Sequence, residues 1–405
     1  MRPESVPASL SGETDAGDET DRLMNRRVTS ETVSDERSFA ALAGWDNLVR
    51  AMSRPSPFML HGWLVEWWRH FGQGRELAVH IARCDGQLVG ALPLFVRSRF
   101  GTRVASFLGD GESAMGDLLA AEGRRSTVTV RLIEHVAASR IDAVDLFGLP
   151  RESPFVTALA PSRVQVVQRV EAPVLDLGRD WEAFINTKLH PSRRRTFRRR
   201  YRSLASEGKI AVELATTPDT VTAALDEAFR LHRLRWGSHQ DRSTFGTAPG
   251  QRFHRAALAL LAREGVARIT TMTIDGRAIA FQCWFALGTS AYLYRQSYDP
   301  AFARFGLGFA ITLEVMKVAM AEGLTRVELL GGAESHKLEL ADRLEPLHQA
   351  VGLARSVRGR AFAVARVAAL RAFQRLRRSE GIRRLYYDGL GPARRAMLSL
   401  RAPQA

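Results

Sequence analysis

Apolar and polar positions along this chain follow two rhythms, and the same succession of rhythms occurs twice. In the first half, Trp63, Leu64, Trp67, Trp68 and Phe71 recur at helical spacing behind Ser56 and Pro57, which suit a cap and a first turn. Their bulk predicts a buried helix face. Leu77–Arg83 and Leu88–Val96 are apolar runs on either side of Asp85-Gly86, the pattern of a β-hairpin. Arg131–Ser139 reads as helix, and Ala143–Phe147 as a short strand ending at Gly148.

The second half repeats this order. Arg252–Arg263 reads as helix, Ala267–Ile274 and Ala278–Leu287 as strands around Asp275-Gly276, and Ser290–Ser297 as a third strand. Ala310–Ala321 is a second helix and Arg326–Leu330 a strand ending in Gly331-Gly332. The Asp-Gly turns lie 190 residues apart, and the strand ends Asp145–Gly148 and Glu328–Gly331 lie 183 apart. Nearly constant offset predicts a duplicated α/β unit. Between the halves, residues 188–208 carry a helix that Ser192 can cap, that runs to Ser206 and that Gly208 ends, with an apolar stripe of Phe197, Tyr201 and Leu204. Seven of the fifteen residues 188–202 are Arg, so the rest of that helix is a dense basic face.

Composition adjusts the picture in three ways. A chain of 405 residues, 45% hydrophobic and 25% charged, suits a globular protein with two cores. Apolar runs stay short of the ~18–20 residues that cross a bilayer, and the N-terminus has no signal-peptide core, so a cytoplasmic location is expected. Cys84 and Cys283, the only cysteines, exclude a disulfide framework and a Cys-rich metal site, and no metal is expected. The net charge of +15 is uneven. Residues 1–38 hold nine acids, five Arg and few large apolar residues, and read as a disordered leader. Residues 355–401 hold thirteen Arg against Glu380 and Asp388. The expected organisation is therefore a leader (1–38), a first unit (39–180), a second unit (181–353) and a basic helical tail (354–405).

Candidate chemistry concentrates at residues 292–340. Arg304-Phe305-Gly306-Leu307-Gly308 stands between a strand and an amphipathic helix. Glycines there let backbone amides face a ligand, and the amides and dipole of a helix N-terminus favour an anion such as pyrophosphate. The segment resembles the pyrophosphate loop of GNAT acetyltransferases, with one residue fewer between Arg304 and the second glycine. More closely, Tyr298-Asp299-Pro300, the glycines 306–308, Gly332-Ala333-Glu334-Ser335-His336-Lys337 and the Arg-rich helix are similar to the cellulose-biosynthesis-type acetyltransferases, relatives of the Fem-type aminoacyl transferases. His336 stands where that family has Tyr.

The resemblance implies an α/β fold of mixed sheets, with tandem GNAT-like units and the cofactor site in the second. It implies acetyl-CoA or another acyl-CoA held by Arg304, Phe305, Gly306, Leu307 and Gly308, with Gln296 and Ser297 on the preceding strand. Acyl transfer needs a group to take the acceptor's proton and support for the oxyanion. Glu334, Lys337, Asp299 and His336 are the candidates. The first unit lacks an equivalent loop. Its Gly109-Asp110-Gly111-Glu112 would repel pyrophosphate, so that copy is expected not to bind the cofactor.

Three functions are consistent with these features. The first is acyl-CoA-dependent N- or O-acyl transfer to an amine or hydroxyl acceptor, such as a saccharide precursor of the cell envelope or an exopolysaccharide. The second is aminoacyl transfer from tRNA, whose backbone the 188–202 face would bind. The third is a nucleic-acid-binding protein without catalysis, which leaves residues 292–340 unexplained. In the tail, Phe362, Ala365, Val367, Leu370 and Phe373 among arginines predict an amphipathic helix. Such a helix suits either an anionic membrane surface, making the protein peripheral, or docking on its own catalytic domain.

Overall fold

The computed structural model describes residues 28–99, 101–157, 163–237, 243–332 and 335–378. The first unit opens with β1 (Thr29–Val33) and short helices α1 (Glu36–Ala40) and α2 (Trp45–Arg50), followed by α3 (His61–Phe71). Then come β2 (Glu76–Cys84), β3 (Gln87–Arg99), β4 (Thr102–Phe107), the two-residue β5 (Leu119–Ala120), α4 (Arg125–Ala138), β6 (Ala143–Leu149), α5 (Pro154–Thr157) and β7 (Val164–Asp176). Helices α6 (Trp181–Lys188) and α7 (Pro191–Ala205) lead into the second unit. Its order is β8 (Ile210–Ala215), α8 (Pro218–Trp236), α9 (Ala248–Arg263), β9 (Ala267–Ile274), β10 (Arg277–Leu287), β11 (Ser290–Tyr298), α10 (Leu307–Ala321), β12 (Arg326–Glu328), α11 (Ser335–Leu338) and β13 (Arg343–Gly352). Helix α12 (Val357–Arg378) ends the described chain.

The duplication is visible in the pairing. Each unit starts on an edge strand, β1 or β8, antiparallel to a hairpin. Both hairpins turn on Asp-Gly with positive φ at both residues: 52° and 78° at Asp85-Gly86, 48° and 79° at Asp275-Gly276. That is the turn geometry whose twist matches paired strands. Each unit then has a strand that pairs in parallel, through a crossover helix, with the next: β4 with β6, and β11 with β12. The fold is thus a mixed α/β tandem, as expected.

The halves are not separate bodies in the way a boundary at residue 180 implies. The strands form one sheet in the order β1-β2-β3-β4-β6-β13-β7-β12-β11-β10-β9-β8, with β5 joined to it beside β3. Each unit's last strand lies beside the penultimate strand of the other: β7 pairs with β12, and β13 with β6. One core also crosses between them. Trp63 of α3 meets Phe253 of α9 edge to face at 4.8 Å, and Phe58 meets Phe285 at 5.6 Å. The periodicity that placed α3 and α9 could not show this, because both helices bury one face whichever sheet they cover.

Three expectations change. The leader does not extend to residue 38: Thr29–Val33 is a strand paired with Val79–Arg83, and Asp35 caps α1 through Ser38. Its alternating polar surface is that of an edge strand, which composition alone reads as disorder. Ser56 does not cap α3. Its hydroxyl donates to the Met115 carbonyl, and Pro57–Met59 is a 3-10 turn before the helix starts at His61. The tail helix lays Val367 and Leu370 on Val167 of β7 and Val351 of β13. Arg366 bonds the buried Asp145 at 2.8 Å and Arg169 stacks on Phe373 at 4.6 Å. The apolar stripe proposed for a membrane is therefore occupied by the protein's own sheet. Residues 379–405, with the later Arg pairs, lie outside the described residues. Among the described residues no helix is long and apolar enough to cross a membrane, and no His/Cys/Asp/Glu group is arranged to hold a metal.

Candidate active site

The site follows from how β11 and β12 part company. They pair at Ser290↔Arg326, Ala291↔Val327 and Tyr292↔Glu328, and then stop. Strand β11 runs on to Tyr298 beside β10, while the chain after β12 turns toward β7: Leu329 N donates to Pro173 O, and Gly332 N to Glu171 O. Leu330 takes φ +57° and Gly332 φ +114° to make that turn. A β-branched or bulky residue in this region signals imposed geometry, costing roughly 1–2 kcal/mol. The departing strand leaves a wedge open along Leu293–Ser297.

The base of the wedge is clamped by charge. Glu328 is fully buried and receives Arg54 Nε at 3.0 Å and Arg54 Nη2 at 2.7 Å, with Arg326 Nε at 2.8 Å. Arg54 and Arg326 also reach Glu345 of β13, and Arg343 joins it at 2.9 Å. The Tyr292 hydroxyl donates to Pro55 O. Residues 274 apart in sequence thereby fix the last paired position before the strands separate. Nothing local in the sequence announces this clamp.

At the head of the wedge stands the N-terminus of α10. Gly306 takes φ +72°, a left-handed conformation that favours glycine, and no side chain caps the helix. Gly308 faces β11: a Cβ there would lie 3.1 Å from Gln296 Oε1 and 3.6 Å from the Tyr298 ring. Gln296 Nε2 bonds Gly308 O and Thr312 Oγ1, each at 2.9 Å, and so ties β11 to the first turn of α10. Helix α7 lies over the same corner. Its Phe197 packs on Phe309, Arg193 stacks on Phe309 at 4.8 Å, and Arg200 Nη1 would lie 3.2 Å from a Cβ on Gly306. The glycine loop and the basic helix, far apart in the reading of the sequence, form one cationic corner.

The remaining predicted residues fall less evenly. Phe305 and Leu307 are buried in the core beneath α10, so their backbone alone faces outward. Arg304 is turned away: its guanidinium pairs with Glu207 at 2.7 Å, stacks on Phe305 and is 66% exposed. Ser297 is wholly buried with no partner for its hydroxyl, so it offers a ligand no side chain. Asp299 is not placed as a base. It caps Ala301 N at 3.0 Å and pairs with Arg277 at 2.6 Å, which is the work of a turn residue. Lys337 Nζ reaches Gly331 O at 3.4 Å, beside the end of β12. His336 lies in α11, its side chain outside the description, and Glu334 lies outside the described residues.

One cluster was not foreseen. Glu112, read from the sequence as a group that repels phosphate, is 2% exposed and reaches into the second unit. It accepts from Tyr294 Oη at 2.9 Å, Arg295 Nη2 at 3.0 Å and Thr244 Oγ1, with His254 Nε2 at 3.4 Å. Burial raises its pKa, but Arg295 and the hydrogen bonds from His254 and Thr244 outweigh that and hold the carboxyl at about 2. Tyr294 and Arg295 both reach it because β11 bulges here. Cys283 pairs with Arg295 and Trp284 with Leu293, leaving Tyr294 opposite no residue.

Comparison with known proteins fits this geometry. Residues 191–338 match the family described as an acetyltransferase (GNAT) domain. No curated protein matches the chain. Similar solved structures include FemX, at 11% identity and a TM-score of 0.53 over 80% of this chain and 96% of that one. Another is the C-terminal domain of a putative lysylphosphatidylglycerol synthetase from Agrobacterium fabrum, at 12% identity and 0.52 over 88% and 99%. A third is a conserved protein of unknown function from Bacteroides thetaiotaomicron, at 13% identity and 0.52 over 80% and 100%. At such identities the likeness is one of fold. The cellulose-biosynthesis-type family does not appear among these matches. Residues 191–338, α7 through α11, are thus similar to a GNAT acetyltransferase domain.

Proposed function

We propose that the second unit transfers an acyl group from acetyl-CoA or another acyl-CoA to an amine or hydroxyl acceptor. The observation that carries this reading is the uncapped, glycine-lined N-terminus of α10 at the head of the β11/β12 wedge. The amides of Leu307 and Gly308 are placed to receive a pyrophosphate, and Arg200 stands beside them. The thioester supplies an activated acyl group. The backbone of Leu293–Ser297, which no longer pairs with β12, is the part to which we assign its orientation. Glu334 and Lys337, which follow β12 in the sequence, are the groups to which we assign the acceptor's proton and charge. Much of the rate can come from positioning alone.

A second reading has its own support. The α7 face exposes Arg195, Arg199 and Arg200, the last of them beside the same loop, which suits a donor with a longer polyphosphate backbone such as aminoacyl-tRNA. Calorimetric titration of the full chain with acetyl-CoA and with aminoacyl-tRNA separates the two. Acetyl-CoA is expected to bind, and Gly308→Val to weaken it at least tenfold while the fold persists. Unchanged affinity in folded Gly308→Val would refute the loop assignment, and binding of tRNA alone would favour the second reading. An envelope or exopolysaccharide saccharide as acceptor rests on the sequence resemblance.

A further inference from the structure

On the face of β11 away from α10 lies a polar corner that donor binding does not use. Helix α8 packs there against β11. Three enclosed polar atoms in this region have no partner: Arg295 Nε on β11, His232 Nε2 on α8, and Ser243 Oγ, the neighbour of Thr244. Buried donors and acceptors are seldom left unpaired in a folded core, so three in one region point to a missing ligand group. The corner is not sealed. The Arg295 side chain is 31% exposed, while Glu112 behind it is 2% exposed.

The charges acting on His232 are of one sign. Burial, and then Arg295, Arg235, Arg233 and His254, all press the His232 imidazole toward neutrality, to about 4. The acid opposing them at Arg295 is Glu112, bound to one terminal nitrogen of the guanidinium. Arg295 thus keeps donors in reserve, aimed by Glu112, His254 and Tyr294.

We propose that this α8–β11 corner binds an oxyanion of the acceptor, a carboxylate or a phosphate, with Arg295 as its anchor and Glu112, supplied by the other unit, as a positioning residue. The proposal rests on the acyl-transfer reading for the word acceptor, but its test does not. The first unit then has a task in the reaction although its own wedge is closed: it holds the specificity-determining Arg in register. Glu112 and Arg295 are 183 residues apart, and neither unit alone contains the pocket.

The test is an NMR titration of the full chain, followed at the His232 ring, with β-alanine, O-phosphoethanolamine and the uncharged-tailed propylamine as probes. The anionic probes are expected to bind at least tenfold more tightly than propylamine and to move the His232 resonance. The tighter of the two identifies carboxylate or phosphate. Arg295→Gln should remove the preference. Glu112→Gln should weaken it less, and the two changes together no more than Arg295→Gln alone. His232→Phe, which keeps a ring packed on Trp236 and Phe245 and is followed instead at the neighbouring His254 ring, should cost several-fold. Thermal unfolding of each variant, compared with the parent, reports folding, and acetyl-CoA affinity of the parent reports the donor site. Equal binding of charged and uncharged probes overturns the proposal, as does a preference that survives Arg295→Gln in folded protein. Should Arg295→Gln not fold, Arg295→Lys and His232→Phe decide by the same criterion. Failure of acetyl-CoA to bind while the anionic preference stands removes the donor reading and leaves the pocket.

Discussion

The two wedges of this molecule have the same frame and opposite contents. In the second unit β11 and β12 separate after three paired positions, and the space ends at glycines on a free helix N-terminus. In the first unit β4 and β6 pair at only Val104↔Ala143 and Ala105↔Val144. The gap beyond is filled by the unit's own loop. Gly116 N donates to Gly148 O at 3.2 Å, and a Cβ on Gly148 would lie within 3.1 Å of Ala114 O, Met115 Cα and Gly116 N. From β4 to the crossover helix the first unit spends residues 108–124, the second only 299–306. The longer connection that closes one wedge is also what delivers Glu112 to the other. A duplicated fold has thus become asymmetric by loop length, with the closed copy acting as support.

The strongest break of this asymmetry should come at the clamp that sets where β12 leaves β11. Arg54→Ala strips two hydrogen bonds from a fully buried Glu328 and one ion pair from Glu345. Removing one member of a buried pair typically costs about 3–5 kcal/mol, and Arg326 keeps part of Glu328 satisfied, so about 3 kcal/mol is expected. Urea unfolding measures it. A loss below about 1 kcal/mol would mean that the wedge does not depend on the first unit.

Two buried acids sharpen the contrast through pH. Glu112, beside Arg295, is held at about 2, below its ordinary 4.5. It therefore adds stability that is complete above about 4.5 and is lost as pH falls toward 2. Asp117, in the filling loop, feels Arg125 only as a minor opposing pull. Burial raises it to about 7, against hydrogen bonds from Ser153 at 2.6 Å and Leu118 N at 2.8 Å. Its sign is opposite: the folded state binds a proton more tightly than the unfolded chain, so stability falls as pH rises from about 4 to 7. Glu112→Gln should flatten the acid limb of stability against pH, and Asp117→Asn should flatten the fall toward neutrality and raise the melting temperature above pH 7. Parallel curves for parent and variants would contradict both assignments.

How much of this could be read from the sequence depended on distance along the chain. The hairpins, both crossover helices and the glycine loop rest on neighbours within a few residues, and the pattern reported them. Helix α8 went unread because its apolar positions, Val221, Leu225, Phe229 and His232, are separated by polar residues and end in a His. Strands β7 and β13 alternate weakly because both are interior strands of a sheet that covers two units. Arg304 was read from its place before the glycines, whereas its partner Glu207 is 97 residues away. Glu112 carried a local meaning, repulsion of phosphate, that its partners 132 to 183 residues on replace. Catalytic wedges of this kind are built from strand ends, and strand order is what a linear pattern conceals.

A milder test lies at the two strand ends themselves. Gly148 has φ +89° and no room for a Cβ, whereas Leu330 holds φ +57° with its side chain buried. Gly148→Ala should cost about 2 kcal/mol from strain and crowding, and loosen the loop that carries Glu112. Leu330→Gly removes a strain of roughly 1 kcal/mol but also the buried side chain, whose loss is worth about 2 kcal/mol, for a net loss near 1. Thermal unfolding of the pair ranks them. The reverse ranking would place the rigid end in the second unit.

The smallest effect is expected at Arg304, and it tests what the cationic corner is made of. Sequence resemblance assigns this residue to the donor's phosphates, but its head is on Glu207 and well exposed, an ion pair of the kind worth about 0–1 kcal/mol. Arg200 is nearer the free amides of α10, beside Gly306. Arg304→Ala should therefore shift unfolding by about 0.5 kcal/mol or less and acetyl-CoA affinity by no more than about threefold, within the range of a surface charge. Arg200→Ala should weaken acetyl-CoA by more than Arg304→Ala does, and the difference should shrink as salt rises, since exposed charges are screened. If Arg304→Ala instead costs tenfold in affinity with no change in stability, the guanidinium leaves Glu207 to meet the donor, and the phosphate site extends away from α7.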